Sequence, residues 1–241
     1  MRTIIGSVRR LVSSISFGLV PAALAVAIAC AETGSEGIET KKLCPDAKLE
    51  AADASATITV KFQIECGLGG TVVDLEGADK VSCDGKRLNE KRNPISGAYY
   101  ELDVALKAPG EKYDCTFERE DEQVPFSVAA PAPFELTAPA TGSTAHFGQP
   151  LDVAWSPSGT SAKIEARLTG PCLESDATSS GDDKGKLRIL ASELRPHPDG
   201  PSSCDASLKV VRETMAKMPK AFAGGTIYSD YVATTSVELT E

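Results

Sequence analysis

The sequence predicts an all-β protein, two tandem antiparallel β-sandwiches behind an N-terminal signal segment. Three observations carry this. Short stretches alternate apolar and polar residues between Gly, Pro and Ser turns; a proline-rich break divides them; and a basic then apolar run precedes them. Hydrophobic residues make up 41% and charged residues 24% of the 241, close to globular averages, so neither a disordered chain nor a multispan membrane protein fits.

In chain order, "MRTIIGSVRR" and the apolar run from Leu11 to Ala29 form the positive and hydrophobic parts of a secretory signal, assigned to residues 1–29. Arg2, Arg9 and Arg10 are its only charges. Removing them takes Lys+Arg from 25 to 22 against 34 Asp+Glu, so the net charge falls from −9 to −12. Such a surface repels phosphate backbones, which excludes nucleic acid as an expected partner.

The 7 Cys are an odd number for an exported chain. If Cys30 carries a lipid, six remain for three disulfides. "AIAC", Ala27 to Cys30, resembles the lipobox of bacterial lipoproteins, departing from it in Ala27, where that family prefers Leu. The resemblance implies lipidation at Cys30 and a place in the cell envelope, on the bacterial outer membrane. Ala27-Ile28-Ala29 and Ala25-Val26-Ala27 are also ordinary signal-peptidase sites, which would make the protein secreted or periplasmic. An uncleaved anchor is a third alternative, disfavoured by Pro21. Residues 30–43, with "AETGSEGIETKK", read as a flexible tether.

The first sandwich is expected over 44–130. "SATITVKFQIEC" sets Ile58, Val60, Phe62 and Ile64 against Thr57, Thr59, Lys61 and Gln63; "YYELDVAL" repeats the alternation through Tyr100, Leu102, Val104 and Leu106. "KYDCTFERE" and "QVPFSVA" read as a hairpin around "REDEQ". Pro131, Pro133 and Pro139 then break the chain. The second sandwich, 131–241, offers about six strands, from "FELTAP" to "GGTIYSDYVATTSVELT", with a short helix expected in "RETMAKMPKAF", Arg212 to Phe222.

Two motifs resemble a known family. "LKAPGEKYDC", Leu106 to Cys115, resembles the tyrosine corner of immunoglobulin-like and fibronectin type III domains, which implies a buried Tyr113 ring with its hydroxyl bonded to upstream backbone. "PLDVAWSPSG", Pro150 to Gly159, is similar to the second strand of fibronectin type III domains, which implies that Trp155 is a core anchor. Cys172 and Cys204 are the only pair within the second sandwich, closing a loop worth roughly 3 kcal/mol. Cys44, Cys66, Cys83 and Cys115 allow three pairings. The immunoglobulin resemblance implies Cys66 with Cys115, leaving Cys44 with Cys83.

No catalytic motif is found. G-x-S-x-G, S-x-x-K, H-E-x-x-H, C-x-x-C and the phosphate loop are absent, and His146 and His197 lie in no base-and-nucleophile pattern. The chain is therefore not expected to be an enzyme, and no cofactor is expected. In "CLESDATSSGDDKGK", Glu174, Asp176, Asp182 and Asp183 could supply oxygens to calcium, but a solvated turn is the favoured reading, so no metal site is expected. Lys86, Arg87, Lys91 and Arg92 form a small basic loop suited to an acidic contact. The expected role is binding or structural display from a lipid-anchored envelope protein, with a membrane reached through the lipid and an envelope protein or glycan as partner. A carbohydrate-binding module, short of aromatics at 5%, and a hydrolase without a recognisable motif are the alternatives.

Overall fold

The computed structural model describes residues 32–67 and 69–241. Cys30 and the signal segment lie outside the described residues. Ten strands make the first half: β1, Glu32–Gly34; β2, Leu43–Ala52; β3, Ser55–Ile64; β4, Thr71–Asp74; β5, Lys80–Cys83; β6, Lys86–Arg87; β7, Asn89–Asn93; β8, Gly97–Ala105; β9, Lys112–Arg119; and β10, Glu122–Ala129. Eight make the second: β11, Glu135–Ala138; β12, Ser143–His146; β13, Leu151–Ser156; β14, Lys163–Thr169; β15, Ala177–Asp182; β16, Lys186–Ile189; β17, Cys204–Lys217; and β18, Thr226–Thr240. A 3-10 turn, Thr40–Lys42, precedes β2.

The architecture is an all-β sandwich protein. In the first half β2, β3 and β8 lie side by side, opposed by the sheet β10-β9-β5-β6. In the second, β11-β13-β16 faces β15-β14-β17-β18. Period-two alternation explains which sides close: Ile58, Val60 and Phe62 of β3 and Val153 and Trp155 of β13 are buried, with more exposed residues between them. Phe62 meets Phe117 of β9 at 5.2 Å across the first core. Phe134 meets Tyr231 at 5.5 Å in the second.

The two sandwiches share a sheet. β17 and β18 pair antiparallel over their full length, from Cys204 opposite Leu239 to Lys217 opposite Thr226. The hairpin outruns its own sandwich, and Ile227 to Tyr231 pair in parallel with Ala47 to Ala51 of β2. An 11-stranded sheet results, running from β1 at one edge to β15 at the other. At the hairpin tip the Ala223 N–H donates to the Leu43 carbonyl (2.9 Å) and the Thr226 N–H to Asp46 Oδ1 (2.8 Å). Phe222 reaches 5.9 Å from Phe117 in the first core. Gly225, at φ +110°, permits this approach, because any side chain there would collide with the Pro45 carbonyl.

Three expectations are corrected here. Residues 32–42 of the expected tether pack on the first sandwich: β1 pairs in parallel with β4, and Arg119 donates to the Ser35 and Ile38 carbonyls, so backbone hydrogen bonding overrides a composition of Gly, Thr, Ser and Glu. Arg212 to Lys217 belong to β17, not to a helix: pairing with β18 along the whole segment overrides the helical preference of Met, Ala and Lys. The disulfides of the first half are Cys44–Cys66 and Cys83–Cys115, and the immunoglobulin-like pairing is not formed. Cys66 sits past the end of β3, beyond Glu65 at φ +67°, where it reaches Cys44 and not the sheet-facing side of β9. Cys83 is directly opposite Cys115 in the β5–β9 ladder. The third disulfide is Cys172–Cys204.

Candidate functional site

Several residues singled out in the sequence are structural. The Tyr113 hydroxyl donates to the Ala105 carbonyl (2.8 Å) and accepts from the Lys107 N–H (2.9 Å), a tyrosine corner with its ring buried. Trp155 is buried, and its indole Nε1–H donates to Asp183 Oδ1 at 2.6 Å. Asp183 also accepts from the Thr160 N–H (3.1 Å) and hydroxyl, and Arg212 Nη2 lies 3.1 Å from its Oδ2. Burial alone would raise the Asp183 pKa, yet hydrogen bonds from Thr160 and Trp155, with the Arg212 charge, hold it below the usual carboxylate range.

Arg212 is itself buried. Its guanidinium donates to the carbonyls of Ala132 (3.1 Å), Pro133 (3.0 Å) and Pro157 and stands 4.8 Å from the Phe134 ring centre. The pair therefore clamps the inter-sandwich linker onto β17. Nothing local in the sequence joins residues 183 and 212; only the sheet does.

The remaining calcium candidates do not converge. Residues 177–182 form β15 instead of a loop, Asp182 is exposed with Lys163 at 2.6 Å, and Asp176 is exposed with Arg167 at 3.7 Å. No group of three His, Cys, Asp or Glu among the described residues is placed to share a metal ion. His146 is exposed, its Nδ1 3.0 Å from both the Thr240 hydroxyl and the Glu241 carbonyl, and His197 Nδ1 accepts from the Asp199 N–H. In the basic segment, Arg92 pairs with Asp74 and Glu90, while Lys86 and Arg87 of β6 and Lys91 of β7 are exposed. No helix among the described residues is long and apolar enough to cross a membrane.

The strongest candidate site lies where the sandwiches meet, on the outer face of the shared sheet. A groove of about 470 Å³ is lined by side chains of β2, β18, β17, β14 and β15, among them Lys48, Asp230, Glu213, Lys209, Lys163 and Arg167. Strand register builds it. Glu50 of β2 lies opposite Asp230 of β18, Asp230 opposite Glu213 of β17, and Glu213 opposite Lys163 of β14. Three carboxylates thus stand in one row across three strands. Lys48 Nζ lies 3.1 Å from Asp230 Oδ2 and 3.0 Å from Glu50.

Asp230 points outward from the core, yet only 3% of its side chain is exposed, and Oδ1 has no hydrogen-bond partner. An unsatisfied buried acceptor costs roughly 1–3 kcal/mol. Burial pushes the Asp230 pKa up, against the opposing pull of Lys48. Burial also raises that of Glu213, with the Asp230 charge adding to it. Lys48 answers in kind: burial opposes its charge, but Glu50 and Asp230 outweigh this and raise its pKa. The groove floor is rich in acceptors and its rim in cations, so it can hold a ligand that brings hydrogen-bond donors inward. Sequence reading missed it because its members come from residues 48, 163 and 230, which the strand order β2-β18-β17-β14 brings together.

No family model matches the sequence, and a comparison with curated proteins finds no match. Solved two-domain structures overlay on it at low similarity. DIP-gamma IG1+IG2 is 9% identical over 82% of this chain and 98% of its own, with a TM-score of 0.24. A two fibronectin type-III domain segment from chicken tenascin is 11% identical over 82% of this chain and 99% of its own, with a TM-score of 0.27. A titin A168–A169 segment is 11% identical over 82% and 99%, with a TM-score of 0.22. The fold itself rests on the strand pairing described above.

Proposed function

We propose that this chain is a lipid-anchored cell-envelope protein that acts by binding and structural display and performs no catalysis. The observation that carries the reading is the shared sheet: a hairpin of the second sandwich completes the edge of the first, so the two move as one rigid body. Two tandem sandwiches joined by a linker alone would swing, whereas pairing and core contact at the same junction hold a surface at fixed orientation. With β1 paired to β4, the first sandwich begins two residues after Cys30, so a lipid on that residue would hold the body close against a membrane. An envelope protein or a glycan is the kind of partner this geometry suits, and the groove at the junction is where it would be met.

The test is the intact mass of the native protein extracted from membranes. A diacyl- or triacyl-sized increment on a chain starting at Cys30, with no free thiol before reduction, supports the anchor and three disulfides together. A bare chain beginning at Ile28 or Cys30 makes the protein secreted or periplasmic and ends the anchored reading. Small-angle scattering on the same preparation reports on display: a single rigid envelope supports it, and a broad spread of inter-domain distances overturns it.

A further inference from the structure

The groove over β2, β18, β17 and β14 carries an unusual set of charges. The Glu213 carboxylate makes no hydrogen bond or ion pair among the described residues, and Asp230 keeps one buried oxygen without a partner. These two carboxylates are direct cross-strand neighbours. A divalent cation is the wrong complement, because the acidic groups are not placed to share an ion. An N–H cation is the right one: an ammonium group offers three donors on a compact charge and can meet both carboxylates at once.

The rim carries the opposite sign. Lys163, Lys209 and Arg167 surround the acceptors, and their present partners are exposed surface carboxylates: Asp182 for Lys163, Glu50 at 3.8 Å for Lys209, Glu165 and Asp176 for Arg167. Such pairs are weak and exchange partners readily. An anionic group arriving with the ammonium therefore finds a seat.

We propose that this groove binds a small zwitterion, its ammonium group between Asp230 Oδ1 and the Glu213 carboxylate and its anionic group against Lys163, Lys209 and Arg167. The spacing is set by the sheet. Lys163 is one strand from Glu213 and two from Asp230, roughly 5 and 10 Å, and an ω-amino carboxylate spans that interval. Lys48, half exposed at the groove edge, is the side chain that shifts to admit the ligand. The inference rests on reading the chain as a binding module, and the mass and scattering experiments above report on that reading independently.

The test is calorimetric titration of the intact mature protein with three probes: 6-aminohexanoate, hexylammonium and hexanoate. The expected result is saturable binding of 6-aminohexanoate, weaker binding of hexylammonium and none of hexanoate. Asp230→Asn keeps the shape of the side chain and removes its charge; it should weaken 6-aminohexanoate by about tenfold or more, the scale of one charge-assisted hydrogen bond. Because Asp230 also pairs with Lys48, the exposed-rim variant Lys163→Met serves as the second probe, and it should erase the preference of 6-aminohexanoate over hexylammonium without altering the circular dichroism spectrum. Absence of binding by either amine, undiminished binding in Asp230→Asn, or an unchanged preference in Lys163→Met overturns the proposal.

Discussion

At the scale of single residues, the protein places its few buried charges where they constrain the chain. Removing one partner of the Asp183–Arg212 pair leaves the other charged, buried and unpaired. Asp183→Ala should therefore cost about 3–5 kcal/mol in chemical denaturation, and the double variant with Arg212→Met should recover a large part of that loss. Tyr113→Phe strands the Lys107 N–H and the Ala105 carbonyl together, a loss of roughly 1–3 kcal/mol by the same assay. Trp155 and Tyr113 were legible in the sequence because short local motifs carry them. Asp183 was not: in the chain it stands beside Asp182 and Lys184 as one more surface charge, and only the sheet brings Arg212 to it.

Acidity acts through the same scale. Asp230 and Glu213 have folded pKa values above those of free carboxylates, about 3.9 and 4.3. Between those values and the raised ones the folded state binds more protons than the unfolded state, so stability grows as pH falls through that window. The groups facing Asp230 are Lys48, Glu50, Lys209 and Glu213, and of these only Glu213 shares its upward shift among the carboxylates. Asp84, Asp152, Asp182 and Asp183 are shifted down, so what they contribute persists above the free values and is lost only in stronger acid. Thermal melts should show greatest stability at mildly acidic pH, with a shallower rise in Asp230→Asn; a parallel profile in that variant would refute the assignment.

At the scale of elements, the β17–β18 hairpin decides how the molecule is built. Its strands of 14 and 15 residues are longer than a sandwich needs, and the excess length is what reaches β2. Gly225→Val should drive the tip off Pro45 and expose Phe222, seen as faster amide exchange at Ala223 and Thr226 while the second sandwich keeps its protection. β3 was readable from its alternation alone. The far end of β17 was not, because "RETMAKMPKAF" is composed of helix formers and its strand character comes entirely from the partner strand.

For the whole molecule, the sequence showed that the protein is all-β and where its prolines fall, since alternation and turn chemistry are local properties. It held no trace of the sheet running from one half into the other: β2 and β18 lie about 180 residues apart, and parallel pairing at that distance leaves no periodic mark. The shared sheet predicts one cooperative unfolding transition in calorimetry, which should split into two when Gly225→Val opens the junction. Two separate transitions in the parent protein would mean that the junction contributes little.

The parallel β2–β18 pairing also dictates an order of events during synthesis. The first sandwich can gather its core as soon as β10 has emerged, but the free edge of β2 has no partner until β18 is made. Until then the nascent protein carries an open row of backbone donors and acceptors, the feature by which unfinished β proteins find one another and aggregate. Pairing of β18 thus has to follow folding of the first half, and a chain truncated before these fifteen residues would leave that half folded and still adhesive.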